Sequence, residues 1–466
     1  MKNKNPFNDI KDMLMRDSKY VKREGDNLIL DSGLQKQIIG SIKEKEIEKV
    51  ISNYFDKSDL VNQLLNIQPI YYDENKIWWF WNNKDFKWEI TDETQILNFV
   101  SLLSSANTIK VKEKTEIIEA LKQNSRQKKP KEIKQTWIQF KDKIVDIQTG
   151  EEFAATSDYF VTNPIPYALH KEKYVNTPVM DKIFEEWVGK EYVQTLYEII
   201  AYCLIPYYPL HRIFCLIGGG MNGKSCFLNL LRKFIGKENI CSTELDTLLT
   251  SRFEVTRLHK KLVCQMGETN FNEMSKTSML KKLSGGDLIG FEYKNKNPFQ
   301  EINYAKIIIA TNNLPTTTDK TIGFYRRWLI IDFHNQFSEK KDILSEIPEE
   351  EYEILAVKCL GILKDLLENK EFHNEGEIED RIKKYEEKSD FFQSFINEFV
   401  EFDTETYITK RDFYNKFISW CRERGFRLLA ENTIGKKMKE KGIDGIRKKI
   451  EFYENLVMVW DGIKWK

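Results

Sequence analysis

Residues 211–236 read HRIFCLIGGGMNGKSCFLNLLRKFIG. The apolar run Ile213–Ile217 predicts a buried strand, and CFLNLLRKF carries apolar residues at helical spacing. Between them, Gly218, Gly219, Gly220, Met221, Asn222, Gly223, Lys224 and Ser225 match the pattern G-x-x-x-x-G-K-[ST] in full. Strand, loop and helix in that order are what phosphate binding needs. The glycines let backbone N–H groups turn toward phosphate oxygens, and the helix that follows adds its N-terminal dipole. Lys224 is predicted to reach the β- and γ-phosphates and the Ser225 hydroxyl to face Mg2+, so ATP and Mg2+ are the expected ligands. Kinases, GTPases, transporters and motors all carry such a loop, so the rest of the chain must decide between them.

Downstream, KKLVCQMGETN predicts an apolar strand ending at Glu268, where a carboxylate can polarise an attacking water and face a metal ion. The bland alternative is a surface glutamate after a core strand. KIIIATNNLP predicts another buried strand that ends at Asn312, whose amide suits a γ-phosphate or a water; Asn and Pro also favour plain turns. GFYRRWLIIDF places Arg326 and Arg327 before a further strand, either of them able to act as a finger on a neighbouring subunit's ATP, or both forming a solvated charge pair. LKKLSGGDLIGFEYKNKNPFQEIN predicts a hairpin tipped by Lys294 and Lys296, charges suited to a nucleic-acid backbone or to an ordinary exposed turn. Runs at KKLVCQM, LIGFEY, AKIIIATN and RRWLIIDF, interleaved with helical stretches, predict an α/β core built on a parallel sheet.

The 466 residues allow two to four domains. Net charge is zero, so any case for nucleic acid rests on local patches rather than on the whole chain. The seven cysteines contain no C-x-x-C pair and read as small core residues of a reducing, cytoplasmic protein. The start MKNKNPFNDIKDML has no apolar signal core, and the chain has no run of 18 apolar residues, so no membrane span is expected.

Four segments are expected: an N-terminal α+β domain over 1–177, the ATPase core with a preceding helical bundle over 178–346, a helical linker over 347–389, and a helix–helix–strand module over 390–466. Within the first, residues 69–91 (a β-hairpin) hold Trp78, Trp79, Trp81 and Trp88. These indoles invite base stacking, but alternating aromatics are more simply a sheet core or an interface. QNSRQKKPKE (123–132) reads as a polar loop, and WIQFKDKIVDIQTGEEF as two short strands. The last segment is locally basic. ENTIGKKMKEKG predicts a helix bearing Lys436, Lys437 and Lys439, followed by a β wing, a combination suited to duplex DNA or, alternatively, to a protein partner.

Taken in this order, GGGMNGKS, KLVCQMGET, LKKLSGGDLIGFEY, IIIATNNLP and GFYRRWLIIDF resemble the superfamily 3 helicases, and most closely the phage and plasmid primase-helicase family that includes the poxvirus primase-helicase. WIQFKDKIVDIQTGE followed by NPIPY is similar to the domain that commonly precedes this core, and the final stretch resembles the family's winged-helix module. The resemblance implies an AAA+ ring ATPase, a homo-hexamer that moves 3′ to 5′ on single-stranded DNA and melts duplex origin DNA. By the same resemblance Lys224 and Ser225 are the Walker A pair and Glu268 the Walker B acid, with Gly267 where some relatives have a second acid. Asn312 is the sensor, Arg327 the finger with Arg326 next in line, and Lys294 and Lys296 the pore hairpin. No D-x-D carboxylate pair occurs before residue 180, so primer synthesis is not expected. The chain looks like the stand-alone replication initiators of staphylococcal pathogenicity islands, for which host replication proteins are conceivable partners. An ATP-gated DNA-binding switch that recruits a host helicase and an ATP-dependent protein remodeller are the rival expectations.

Overall fold

The computed structural model describes residues 21–24, 27–30, 57–103, 110–141, 143–169, 176–267, 274, 276–294, 296–337, 342–423, 426, 428–449 and 456–466. They fall into two compact units, one formed by the chain up to Ala168 together with Glu292–Phe299, the other by Leu169–Phe291 and Gln300–Lys466.

In the first unit, Val21–Glu24 (β1) and Asn27–Leu30 (β2) make an antiparallel pair. Helix α1 (Lys57–Ile67) leads into a three-stranded antiparallel sheet of β3 (Ile70–Tyr72), β4 (Trp78–Asn82) and β5 (Lys87–Thr91), one strand more than a simple hairpin. Trp78, Trp79, Trp81 and Trp88 are only 2–3% exposed. Their large apolar area is spent on the core, and no face is left for a base. Helices α2 (Glu93–Leu103) and α3 (Val111–Gln127) cover this sheet through Ile96, Ile117 and Leu121. Helix α3 takes in QNSRQ, which the polar composition had suggested was loop. Ser125 is buried with its hydroxyl donating to the Leu121 carbonyl (2.6 Å), and Arg126, though exposed, ties the helix to the Asp73 carbonyl beyond β3 (2.9 Å). A second antiparallel sheet follows, of β6 (Trp137–Phe140), β7 (Lys143–Asp146) and β8 (Glu152–Ala154), again one strand beyond the expected two.

The second unit begins with α4 (Pro178–Val188) and α5 (Val193–Tyr202). Its sheet is parallel and five-stranded. In chain order the strands are β9 (Ile213–Ile217), followed by α6 (Lys224–Ile235), then β10 (Ile240–Ser242) and β11 (Val263–Met266). After α7 (Thr277–Leu283) comes a separate two-stranded sheet, β12 (Leu288–Phe291) with β13 (Phe299–Ile302). The main sheet then gains β14 (Lys306–Thr311) and, past the short α8 (Ile322–Tyr325), β15 (Trp328–Asp332). Its order is β10-β11-β14-β9-β15. LIGFEY therefore lies outside the main sheet, and the three-residue β10 takes an edge that sequence pattern did not reveal. Every residue of β9, β11 and β14 is buried, as a parallel sheet covered on both faces requires.

Residues 347–389, expected as a linker, are built into this core. Helix α9 (Glu349–Asn369) supplies Glu351, a buried carboxylate that accepts from the Val179 and Met180 amides (2.9 Å each) and so caps α4. Glu375, also buried, binds Arg212, which enters β9 (Nε, 2.8 Å), and Arg381 on α10 (Ile378–Ser389). The chain ends in α11 (Phe391–Phe399), β16 (Val400–Thr409), α12 (Lys410–Glu423), α13 (Glu431–Glu440), β17 (Gly445–Lys448) and β18 (Val457–Trp465), the strands ordered β16-β18-β17 around an aromatic core that includes Phe391, Phe395, Phe417 and Trp420.

Lys306, the first residue of β14, is fully buried. Its ammonium donates to the Ile205 carbonyl and lies 5.2 Å from the Tyr202 ring centre and 5.7 Å from that of Tyr208. Burial lowers its pKa from 10.5 to about 7. Between those values the unfolded chain holds a proton that the folded chain has released, so stability rises with pH across that window and this contribution is flat below it. Urea unfolding at a series of pH values should show wild type gaining on Lys306→Met as pH climbs from about 7 toward 10. Parallel curves for the two proteins would refute the assignment.

Candidate phosphate-binding site

The parallel register sets Thr311, Ile217 and Asp332 side by side at the carboxyl ends of β14, β9 and β15. The chain leaves β9 for the distant edge strand β10 and later adds β15 on the other side of β9. Such a reversal opens a crevice at the strand ends, the usual ligand position in an open α/β sheet. The loop 218–223 sits there. A Cβ on Gly218 would lie 2.5 Å from the Phe333 carbonyl, and one on Gly223 would lie 2.5 Å from the Trp187 indole nitrogen, so both positions demand glycine. Gly220, Met221 and Gly223 all have positive φ (108°, 47° and 93°), the left-handed backbone of a tight loop that glycine adopts at no steric cost. The N-cap residue of α6, Gly223, has no side chain to cap it, and the amino end of a helix favours an anion there.

Lys224 is 5% exposed, and its ammonium is aimed back into the loop. It donates to the Gly218 carbonyl (2.6 Å), to Asn222 Oδ1 (2.9 Å) and to Asn312 Oδ1 (3.4 Å). Asn222, itself buried, donates from Nδ2 to the Phe333 carbonyl (3.1 Å), fixing the loop to the end of β15. The predicted lysine and the predicted amide thus meet, although 88 residues separate them. Gly219, Met221 and Ser225 are exposed at the mouth. Ser225 lies on the first turn of α6, and its exposed hydroxyl is an oxygen donor of the kind hard cations take. Glu268, the expected acid, lies outside the described residues.

Trp187 was not singled out from sequence. In an amphipathic helix a tryptophan reads as core, and nothing local signals that it backs Gly223 and packs against Phe227 and Phe333. A second side chain missed in the sequence is Asp332. Burial opposes its ionisation, yet Lys384 (3.0 Å) and Lys388 (2.6 Å) together hold its carboxyl below the ordinary range.

The two arginines part company. Arg327 is buried, its Nε donating to Ser284 Oγ (3.2 Å), Nη1 to the Gly323 carbonyl and Nη2 to the Lys281 carbonyl (3.4 Å). Arg326 is exposed. Both precede β15 and so lie at the opposite end of the strands from the loop, roughly 16 Å away for a strand of this length. Neither can serve the phosphate site of its own chain.

Lys294 and Lys296 are exposed at the hairpin tip, which groups with the N-terminal unit, and Lys296 Nζ donates there to the Lys76 carbonyl (3.2 Å). On α13, Lys436 and Lys439 are exposed. Lys437 turns inward, 3.6 Å from Asp390 and 5.6 Å from the Phe392 ring centre, and so is less available to a phosphate than sequence suggested. No helix among the described residues is long and apolar enough to cross a membrane.

Comparison with known proteins adds matches of three kinds, to family models, to a curated protein and to solved structures. A family of unknown function (DUF5906) matches residues 216–327, and a family described as poxvirus D5 protein-like matches residues 387–455. A putative helicase, L207/L206, of Acanthamoeba polyphaga mimivirus is 24% identical over 270 residues, which is 52% of this chain and 28% of that protein. The chain therefore corresponds to little more than a quarter of that relative's length. Solved apo structures of the NrS-1 C-terminal region align with 88% of this chain and 100% of theirs at 12% identity (TM-score 0.44), or with 87% and 100% at 13% identity (TM-score 0.45). The chain resembles the D5-like helicases of viruses and phages.

Proposed function

We propose that this relative of the D5-like viral helicases is an ATP-hydrolysing DNA helicase that initiates replication of a mobile genetic element. The observation that carries the reading is the meeting of Lys224 with Asn312 at the glycine loop. A cation and an amide, delivered by neighbouring strands to one crevice, suit a γ-phosphate and the water that attacks it. ATP would lie along residues 218–225. Mg2+ held by Ser225 and Glu268 would neutralise phosphate charge, and Glu268 would also orient the water. Around this AAA+ core, chains would close as a homo-hexamer so that an arginine of one reaches the ATP of the next, and the ring would track 3′ to 5′ on single-stranded DNA. Accessibility favours Arg326 for that finger, with Arg327 holding the turn beneath it. The C-terminal segment has the element order of a winged helix, and exposed Lys436 and Lys439 on α13 would meet duplex DNA at the origin. Host replication proteins would complete the assembly.

One observation favours a second reading, an ATP-gated switch that recruits a host helicase: Lys296 is held by the N-terminal unit's Lys76 carbonyl rather than presented to a strand. The remodeller gains nothing comparable. Tyr293 and Phe299 stack on one another at 6.2 Å, whereas a gripping loop would present an open ring.

The test is strand displacement on forked DNA with ATP, run beside Glu268→Gln. Unwinding by the wild type and none by the variant is the expected result. Hydrolysis without displacement would transfer the case to the switch.

A further inference from the structure

The two ends of the proposed machine, the basic helix α13 and the glycine loop, are joined through the end of α10. On the module side, Lys437 of α13 pairs with Asp390 (3.6 Å), the residue that caps α11 through the Gln393 amide (3.2 Å). Phe426, in the connection between α12 and α13, stacks on Phe391 and Trp420 (5.1 Å each) and presents its ring to the Lys388 ammonium at 4.8 Å. On the core side, the same ammonium binds Asp332 at 2.6 Å. Asp332 lies beside Ile217, the last residue before the loop, and its neighbour Phe333 accepts from Asn222, which in turn accepts from Lys224. The backbone of α10 reaches the other flank of the site. The Lys388 carbonyl accepts from the Leu314 amide (3.2 Å), and Tyr385 donates to the Pro315 carbonyl (2.9 Å), so both hold the segment that follows Asn312.

Lys388 thus touches the aromatic core of the module with one face of its ammonium and the strand end behind the phosphate loop with the other. The module has room to shift against it. A cavity of about 990 Å³ separates the 316–320 segment and α10 from the module, lined among others by Thr316, Glu386, Asp390, Trp420 and Phe426. Asp332 has a second cation in Lys384, so loss of Lys388 does not strand a buried carboxylate.

We propose that Lys388 is a positioning residue that couples occupancy of the C-terminal module by DNA to the geometry of the phosphate loop and of Asn312. The proposal rests on the reading of the chain as a DNA-stimulated ATPase. A nucleic acid drawn to Lys436 and Lys439 would move α13, and with it the Lys437–Asp390 pair and the Phe426 ring. Lys388 would carry that displacement to Asp332 and Leu314, biasing turnover without contacting ATP. Lys388 is the side chain shared by the two ends, and a contiguous chain of contacts of this kind is one route by which coupling between distant sites is carried.

The experiment measures ATP turnover of the full chain, with and without saturating forked DNA, for wild type, Lys388→Met and Lys388→Arg, together with DNA affinity by fluorescence anisotropy. Lys388→Met keeps the length of the side chain and removes the charge. Its turnover without DNA and its DNA affinity should stay within about 2-fold of wild type, while the DNA-dependent rise in kcat shrinks by about 5-fold or more. Lys388→Arg should restore the rise. Full stimulation of Lys388→Met, a loss of its DNA affinity, or failure of Lys388→Arg to rescue would each overturn the coupling role. A wild type whose turnover ignores DNA would overturn the underlying reading instead, a failure visible before any variant is compared.

Discussion

Lys224→Ala should lower ATP turnover by on the order of 10³-fold and abolish strand displacement, because it deletes the one cation that the loop directs at its own crevice. The effect should not come from unfolding. Asn222 keeps its bond to the Phe333 carbonyl, Gly223 keeps Trp187 behind it, and α6 retains its buried face of Phe227, Leu230, Leu231 and Phe234. Thermal stability in the absence of nucleotide should fall by no more than the loss of the three Lys224 hydrogen bonds accounts for, while the rise in midpoint on adding ATP, which mass action requires of any ligand bound only by the folded state, should vanish. Normal unwinding by this variant would remove the glycine loop from the mechanism altogether.

The second large effect separates two adjacent residues. Arg326→Ala should leave the fold intact, since the side chain is exposed, and lower turnover by about 10³-fold or more if it is the group that reaches a neighbour's ATP. Arg327→Ala should behave differently. It strips Ser284, Gly323 and Lys281 of a buried charged donor, and unfolding should become easier by about 2–4 kcal/mol, as expected for lost hydrogen bonds to a charged group. Turnover and denaturant unfolding measured on both variants decide the matter. A stable but inactive Arg327→Ala, beside an active Arg326→Ala, would return the finger to Arg327.

The arginines also show where sequence stops. Both stand before the same strand, and no local pattern says which one turns inward. The choice is made by Ser284 and Gly323, and Ser284 is 43 residues away. The phosphate loop was legible because its signal is local: a strand, a run of glycines and a helix within 26 residues. Strands β9, β11, β14 and β15 were legible because burial on both faces writes itself as an unbroken apolar run. Strand β10 was not, because Ile240–Ser242 is too short to carry any period. LIGFEY was apolar enough for the main sheet, yet β12 buries only alternate residues, the mark of a strand with one face covered. The tryptophans of β4 and β5 read more simply as a core or interface than as a stacking platform, and their burial decides for the core: Trp78 under α2 and α3, Trp79 against Phe160, and Trp88 donating to the Tyr159 carbonyl. Lys388 and Glu351 on helices, Asp332 at a strand end and Glu375 in a connection gave no signal, since a charged residue looks solvated until the partner that buries it is known.

The clamp made by Glu375 has a consequence for synthesis. The strands of the parallel sheet are complete at Asp332, but the Glu375 that neutralises Arg212 and Arg381, the Glu351 that caps α4 and the lysines that pair Asp332 all come later in the chain. A nascent chain that has released β15 therefore still holds Arg212 and Asp332 without their ionic partners, a state that disfavours early closure. Domains generally fold as they emerge, N-terminal first. Closure is therefore expected only once α10 has left the ribosome, and a chain ending between Asp332 and Glu351 should remain sensitive to protease although it contains every strand of the sheet.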